Sequence, residues 1–500
     1  MNGMNGMNVL LIYPKYPDTF FSFTHALHFI SKKAAIPPLG LITVSALLPE
    51  NWQKKLLDMN VTDLLPEDLE WADYVFISAM YIQKESVNNV IEECRKHEVK
   101  IVAGGPLFNQ EHKNYPQIDH FILNEAEITL APFLNNLAKG IPPQKLYETA
   151  AYADIISSPT PEFHLLDRKA YASMNIQISR GCPFACDFCE ISSLLGHKVR
   201  MKQTDQVIRE LDALFHLKWR GNVSITDDNF IGNKRQIKNE LLPAIIEWMR
   251  RHKYPFIFNI QTSIDLADDK ELISLMIQAG INSTFIGIET PSEQSLYESN
   301  KLQNQNRDML LSVKEIQASG MQVSGGFIVG FDSDSVKVFQ EQIDFIQQSG
   351  IVWAMVGLLN APKNTKLYER LKAENRLTTE ATGSNTDYSM NFIPKMDAEE
   401  LQKGYKSIIE NIYSVKPYYT RMRQFLVNYK QAHRRPIKIE RHYFKAFIKS
   451  LLIIGIQSKG RGEFWKFIFW TVWNRPRLFL DAIMFTISGY HFRKVYRLTK

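Results

Sequence analysis

Twice along this chain, short apolar runs alternate with stretches of helical periodicity, and that rhythm leaves few folds open. Within residues 1–140 the runs are Val9–Tyr13, Lys55–Met59, Tyr74–Ala79, Lys100–Ala103 and His120–Leu123, with helical patterns such as Glu85–His97 between them. Parallel strands need long crossovers, so this alternation predicts βαβ units in a doubly wound α/β sheet. Residues 141–168 carry several prolines and little periodicity, and read as a linker. The second series comprises Asn175–Ser179, Val223–Thr226, Phe256–Thr262, Thr284–Ile288, Gln322–Val329 and Val352–Leu358. Six β/α repeats over residues 169–377 predict a partial (β/α)6 barrel, with chemistry at the carboxyl ends of its strands. From residue 378 to 500 the pattern turns helical.

Charge is unevenly spread. Residues 431–500 hold fifteen Lys and Arg against Glu440, Glu463 and Asp481, while the preceding residues are net acidic although the whole chain is +6. Bases there interleave with aromatics, as in Phe464-Trp465-Lys466-Phe467 and Arg475-Pro476-Arg477-Leu478-Phe479. Such a tail predicts contact with something anionic. It suits either a membrane interface or a helical cap with a solvated basic face. No signal peptide opens the sequence and no apolar run approaches the roughly 20 residues of a spanning helix. Ala34–Leu48 comes nearest and is broken by Pro37-Pro38. The expectation is a cytoplasmic protein, peripheral at the membrane if the tail binds lipid.

Four cysteines occur, and three of them lie in Ser179-Arg180-Gly181-Cys182-Pro183-Phe184-Ala185-Cys186-Asp187-Phe188-Cys189. A tight cluster in a chain without a leader points to a metal rather than to disulfides. Thiolates suit iron–sulfur clusters and zinc. Three ligands at this spacing can hold three corners of one cubane and leave a fourth iron open. Zinc needs a fourth ligand, for which His197 is the nearby histidine. The loop directly follows the first strand of the second series, at the functional mouth of the expected barrel. Cys94 falls inside a helical pattern and reads as a small buried hydrophobe.

The C-x3-C-x-aromatic-C loop resembles that of the radical S-adenosylmethionine superfamily. The resemblance implies a [4Fe-4S] cluster on Cys182, Cys186 and Cys189, whose open iron binds S-adenosylmethionine and cleaves it to a 5′-deoxyadenosyl radical. It also implies a flavodoxin- or ferredoxin-type electron donor. By the same resemblance Asp227, Asp228, Asn229, Gln261, Ser263, Glu289, Gly325 and Gly326, at successive strand ends, contact S-adenosylmethionine. The first domain is similar to the flavodoxin-like cobalamin-binding domain of B12-dependent radical enzymes. Pro38, Gly40, Ser78, Gly104, Gly105 and Glu125 fall where that domain meets its cofactor. The D-x-H-x-x-G motif is missing: Asp58-Met59-Asn60-Val61-Thr62-Asp63 puts Asn60 where the cobalt-ligating histidine stands. Cobalamin bound without a protein imidazole and a vestigial domain both remain open.

Over its full length, through Gly489-Tyr490-His491-Phe492-Arg493-Lys494, the chain resembles hopanoid methylases and tetraether-lipid ring synthases. That implies a polycyclic or isoprenoid lipid substrate and C-methylation of an unactivated carbon. Ring or carbon–carbon bond formation without methyl transfer is the alternative. Nucleic-acid modification is a third reading, set against a tail that is helical where RNA-modifying relatives carry a small β-barrel.

Overall fold

The computed structural model describes residues 6–384, 387–430 and 441–498. The basic run Arg434, Arg435 and Lys438, part of the expected anionic contact, lies outside the described residues.

Five apolar runs and one short segment build the first sheet: β1 (Asn8–Tyr13), β2 (Gln53–Asp58), β3 (Tyr74–Ser78), β4 (Lys100–Gly104), β5 (His120–Ile122) and β6 (Leu146–Tyr147). All pairs are parallel, in the order β2-β1-β3-β4-β5-β6. Val9 and Leu11 pack to one face and Leu10 and Ile12 to the other, as a strand covered on both sides requires. The order reverses between β1 and β3, and ligand crevices form at the strand carboxyl ends of such switch points. The sheet's last strand comes from the segment read as a linker: Phe121 pairs with Leu146 and Ile122 with Tyr147.

The second sheet comprises β7 (Met174–Ile176), β10 (Gly221–Ile225), β11 (Phe256–Thr262), β12 (Ile281–Glu289), β13 (Gln322–Val329) and β14 (Ala354–Leu358), paired in that order and all parallel. A short antiparallel pair, β8 (Ser179–Arg180) with β9 (Arg200–Met201), stands between the first two of these strands. Residues facing the outer helices, such as Ile286 and Ile288, are fully buried. This is a six-stranded partial barrel, so β7 and β14 are left with free edges. Both are covered. Helix Ala398–Tyr413 turns two tyrosines onto β14: Tyr405 donates to the Val356 carbonyl (3.0 Å) and Tyr413 to the Ala354 carbonyl (2.6 Å). Unpaired strand carbonyls are thereby satisfied without another strand.

An arm between β1 and helix Leu39–Leu47 bridges the lateral gap. Its residues 33–35 run beside 170–173, with Lys33 N to Ala170 O at 2.8 Å and Ser173 N to Ala35 O at 2.9 Å. At its other end Phe23 packs against Trp353, next to β14, and Phe20 stacks on Phe492 at 4.3 Å. Helices Arg441–Leu452 and Phe479–Val495 back the arm's helix Thr24–Ile30.

A buried ion network joins the two sheets. Arg180 reaches Glu125 and Glu127 (2.8 Å each), and Arg200 meets Glu125 at 2.8 Å. Burial alone would raise the Glu127 carboxyl, but Arg180 outweighs it and holds the group below the usual carboxylate range. The pair therefore stabilises the junction above the ordinary carboxylate pKa and loses that contribution as acid protonates Glu127. At neutral pH, Glu127→Gln is expected to lower unfolding stability by about 3 kcal/mol, because it strands part of a buried cation. In urea titrations the difference from the parent protein should shrink as the pH falls below the ordinary glutamate value of 4.5. A difference that stays constant well below that pH contradicts this role.

Candidate active site

β7 leads through Ile178 into β8, and the cysteine loop follows at once. Asp227, just past the end of β10, fixes the root of that loop. One of its oxygens accepts from the Ile178 amide (2.7 Å) and the other from the Ser179 hydroxyl (2.6 Å). The carboxyl is fully buried, which pushes its pKa up to about 6 against the pull of those hydrogen bonds. Gly181 has φ +93°, and a Cβ there would sit 2.7 Å from the Lys198 carbonyl oxygen, so the turn requires glycine.

The far side of the loop rests on the segment after β12. Asp187 N donates to Ser299 O (3.0 Å), Asn300 Nδ2 to Ala185 O (3.0 Å), and Gln303 Nε2 to Cys186 Sγ (3.7 Å). Lys301 is buried there and pairs with Glu289 at 2.6 Å, its ammonium 5.9 Å from the Phe188 ring centre. Glu289 takes a left-handed conformation (φ +63°) where the β12–β13 register shifts. Strain of that kind is held only where surrounding contacts fix it, here the salt bridge with Lys301.

None of the cysteines is in a disulfide; Cys186 is buried and Cys182 and Cys189 are partly so. Burial pushes the Cys182 and Cys189 thiols up, Cys189 to about 12, with Cys186 adding to the effect and Lys301 opposing it. Thiols held neutral by burial would release their protons on binding a metal, whose charge stabilises the thiolates. The donor set thus fits a thiolate-ligated cluster. Among the described residues no three His, Cys, Asp or Glu are grouped to hold a single metal ion, and His197 is exposed. Asp228 has one buried oxygen without a partner, as does Gln303. Burial and the neighbouring Asp227 raise the Asp228 carboxyl to about 6. Acceptors left open beside the loop fit a cationic amino group.

The other residues expected at S-adenosylmethionine separate by side. Gln261 is exposed between buried Ile260 and Thr262 and so faces the lumen. Asn229 and Ser263 bond each other, Nδ2 to Oγ at 3.2 Å, and tie the end of β10 to that of β11. A Cβ on Gly326 would meet Phe285 and Met355 in the lumen, whereas one on Gly325 would meet Phe327 and Ile351 under the outer helices. The lumen itself is two-sided. Ser224 donates to Asn259 (2.6 Å) on the β10–β11 side, while Phe285 and Met355 line the β12–β14 side. Phe21, 48% exposed on the arm, reaches the Phe285 ring at 5.8 Å and extends that apolar wall.

In the first sheet, Gly104 and Gly105 let the loops after β3 and β4 close up: a Cβ on Gly105 (φ +90°) would lie 2.6 Å from Ser78 Oγ, and one on Gly104 2.7 Å from the Ile122 carbonyl. Gly40 opens on free space beside buried Pro38, and the Tyr81 hydroxyl is buried without a partner. A backbone cradle of this kind fits a large cofactor. Glu125 belongs to the junction: Arg180, Arg200 and the Ala153 amide take up its carboxylate. Asn60, in the position of the missing histidine, accepts from Tyr16 N (3.1 Å) and donates to Asp58 (2.8 Å), so its amide is taken up within the chain. Arg180, Arg200, Lys301, Gln303 and the Phe21 arm carried no sequence signal, since each acts through a partner far along the chain.

These features define an enzyme in which a cysteine loop at a barrel mouth faces a cofactor-binding sheet. Residues 176–346 match the model of the radical SAM superfamily, residues 30–134 that of the B12 binding domain, and residues 365–500 a domain of unknown function (DUF4070). An uncharacterized methyltransferase of Synechocystis sp. is 37% identical over 97% of this chain and 91% of its own length. The hopanoid C-2 methylase of Rhodopseudomonas palustris is 29% identical over 93% of this chain and 89% of its own. The solved structure of the cobalamin-dependent S-adenosylmethionine radical enzyme OxsB, with aqua-cobalamin and S-adenosylmethionine bound, shares the fold. Its TM-score is 0.63 at 16% identity, over 99% of this chain and 85% of that one. The chain belongs to the cobalamin-dependent radical S-adenosylmethionine methyltransferase family, whose cofactors are a [4Fe-4S] cluster, S-adenosylmethionine and cobalamin.

Lys301→Met leaves Glu289 charged and alone, and is expected to cost about 3–5 kcal/mol. Adding Glu289→Gln removes the stranded charge and should recover most of it. Thermal melts of the single and double variants check this; equal losses in both would mean that the pair does not stabilise the loop.

Proposed function

We propose that the protein methylates an unactivated carbon of a polycyclic or isoprenoid lipid. The observation that carries the substrate class is the apolar wall of the lumen, built from Phe285 and Met355 and extended by Phe21. Likeness to the hopanoid C-2 methylase over most of both chains supports it. When bound, the cluster supplies an electron to S-adenosylmethionine and cobalamin supplies a methyl group.

The chain's own residues divide the rest of the work. Cys182, Cys186 and Cys189 hold the cluster, with Gln303 donating to the Cys186 sulfur. Asp227 and the Asn229–Ser263 pair keep the strand ends in place, leaving Asp228 and Gln261 to meet S-adenosylmethionine. Glu289 and Lys301 keep the loop's far side dry and fixed. Arg180 carries the junction, so the first sheet's cradle and the barrel mouth share one enclosure. The substrate's hydrocarbon lies against Phe285 and Met355, where exclusion of water protects radical chemistry from side reactions. Glycine at 326 leaves room for the Phe285 ring to lie against β13.

Anaerobic turnover with methyl-labelled S-adenosylmethionine and a lipid extract should yield a labelled lipid heavier by one methyl group, read by mass spectrometry. A product without label would replace methylation by ring or carbon–carbon bond formation. Replacing Cys182, Cys186 and Cys189 together by Ala should abolish the brown absorbance and all S-adenosylmethionine cleavage. Retained cleavage would remove these cysteines from the site.

A further inference from the structure

Exposed large hydrophobic side chains are scattered over the described residues, but on the C-terminal helices they gather into a pattern. On helix Arg441–Leu452 and the turn Ile453–Gln457 that extends it, Phe444, Ile448, Leu452 and Ile456 recur every fourth residue, and all are exposed, Phe444 by 62%. Spacing of this kind sets them in a single stripe. Helix Arg461–Asn474 presents a second one: Phe469 is 66% exposed, Val472 52% and Trp473 88%. The stripes meet. Trp465 donates its indole N–H to the Gly455 carbonyl at 2.9 Å, and its ring stacks on Phe469 at 5.6 Å, so the second stripe starts beside Ile456. Isolated exposed hydrophobes are ordinary, whereas a continuous aromatic and aliphatic face marks an interaction surface.

Charge selects the occupant. Residues 441–498 hold eleven Lys and Arg against Glu463 and Asp481, and Glu463 is already paired with Lys466 at 2.8 Å. Lys445 and Arg461 are exposed on these helices, and Lys459 and Arg477 on the turns that flank the second one. A second copy of the chain would bring cations against cations. An anionic bilayer accepts both parts of the face at once, taking Trp and Phe into the headgroup boundary and pairing the cations with lipid phosphates. No helix among the described residues is long and apolar enough to cross a membrane, so contact of this kind is at the surface. The face also continues toward the site. Helix Arg441–Leu452 packs on the arm's helix Thr24–Ile30, with Lys449 donating to the His28 carbonyl at 2.7 Å, and that arm carries Phe21 to Phe285.

We propose that helices Arg441–Leu452 and Arg461–Asn474 form a face that docks on anionic phospholipid membranes, beside the arm that walls the lumen. The use of such a face in delivering substrate rests on the lipid reading above, but docking itself does not, and vesicles free of any substrate lipid separate the two. The holoenzyme is expected to co-sediment with vesicles containing phosphatidylglycerol and much less with pure phosphatidylcholine. Phe469→Gln with Trp473→Gln should weaken that binding about ten-fold while leaving iron content and S-adenosylmethionine cleavage unchanged. No sedimentation with either vesicle, or undiminished binding by the variant, would overturn the proposal. So would a parent protein that dimerises in analytical ultracentrifugation through these two residues, for a second copy would then be the occupant.

Discussion

Arg180 is the residue on which the arrangement of this enzyme turns. It stands two positions before the first cysteine of the loop, and its guanidinium is buried between Glu125 and Glu127 of the other sheet. Two consequences follow from one ion network. The cysteine loop gains a fixed root, shared with Asp227, and the carboxyl ends of two separate sheets are made to face each other. Breaking such a network would leave uncompensated charge in a dry interface, which penalises any other placement of these groups. Arg200 adds a second tie to Glu125 from β9, so the short antiparallel pair β8–β9 serves as the hinge plate of the junction.

The lumen divides by chemistry along its circumference. Hydroxyl and amide groups gather on β10 and β11, where Ser224 meets Asn259 and Gln261 is exposed, and aromatic and thioether groups gather toward β14. A polar, charged cosubstrate and a hydrocarbon can therefore occupy one enclosure without either being buried against the wrong wall. The free edge at β14 is compatible with this division because Tyr405 and Tyr413 satisfy its carbonyls through phenolic hydroxyls. Their ring faces remain apolar.

Much of this architecture is legible in the sequence, and the limits have physical causes. Strands buried on both faces announce themselves as continuous apolar runs, so β1, β3 and β4 stand out. β6 is only two residues long and shows no such run, and β12 starts at Ile281 with polar Asn282 and Ser283 next, where its register against β11 shifts. The cysteine loop is legible because its ligands are close in sequence. Lys301 and Gln303 are not, because their role exists only once the segment after β12 folds back on the loop. Glu125 was expected at a cofactor by its place after a strand, and it meets two arginines more than fifty residues away. Gly325 and Gly326 look equivalent in a glycine pair, yet strand alternation sends one under the helices and the other into the lumen.

The stacking of Phe20 on Phe492 carries a consequence for how the enzyme comes into being. A wall that requires the start of the chain and its last long helix side by side cannot exist on a nascent polypeptide. Until the helix Phe479–Val495 has left the ribosome, the flank between β7 and β14 stands open and the cysteines lie beside an unfinished enclosure. The apolar wall that Phe21 extends beside Phe285 is therefore among the last parts of the enclosure to be completed.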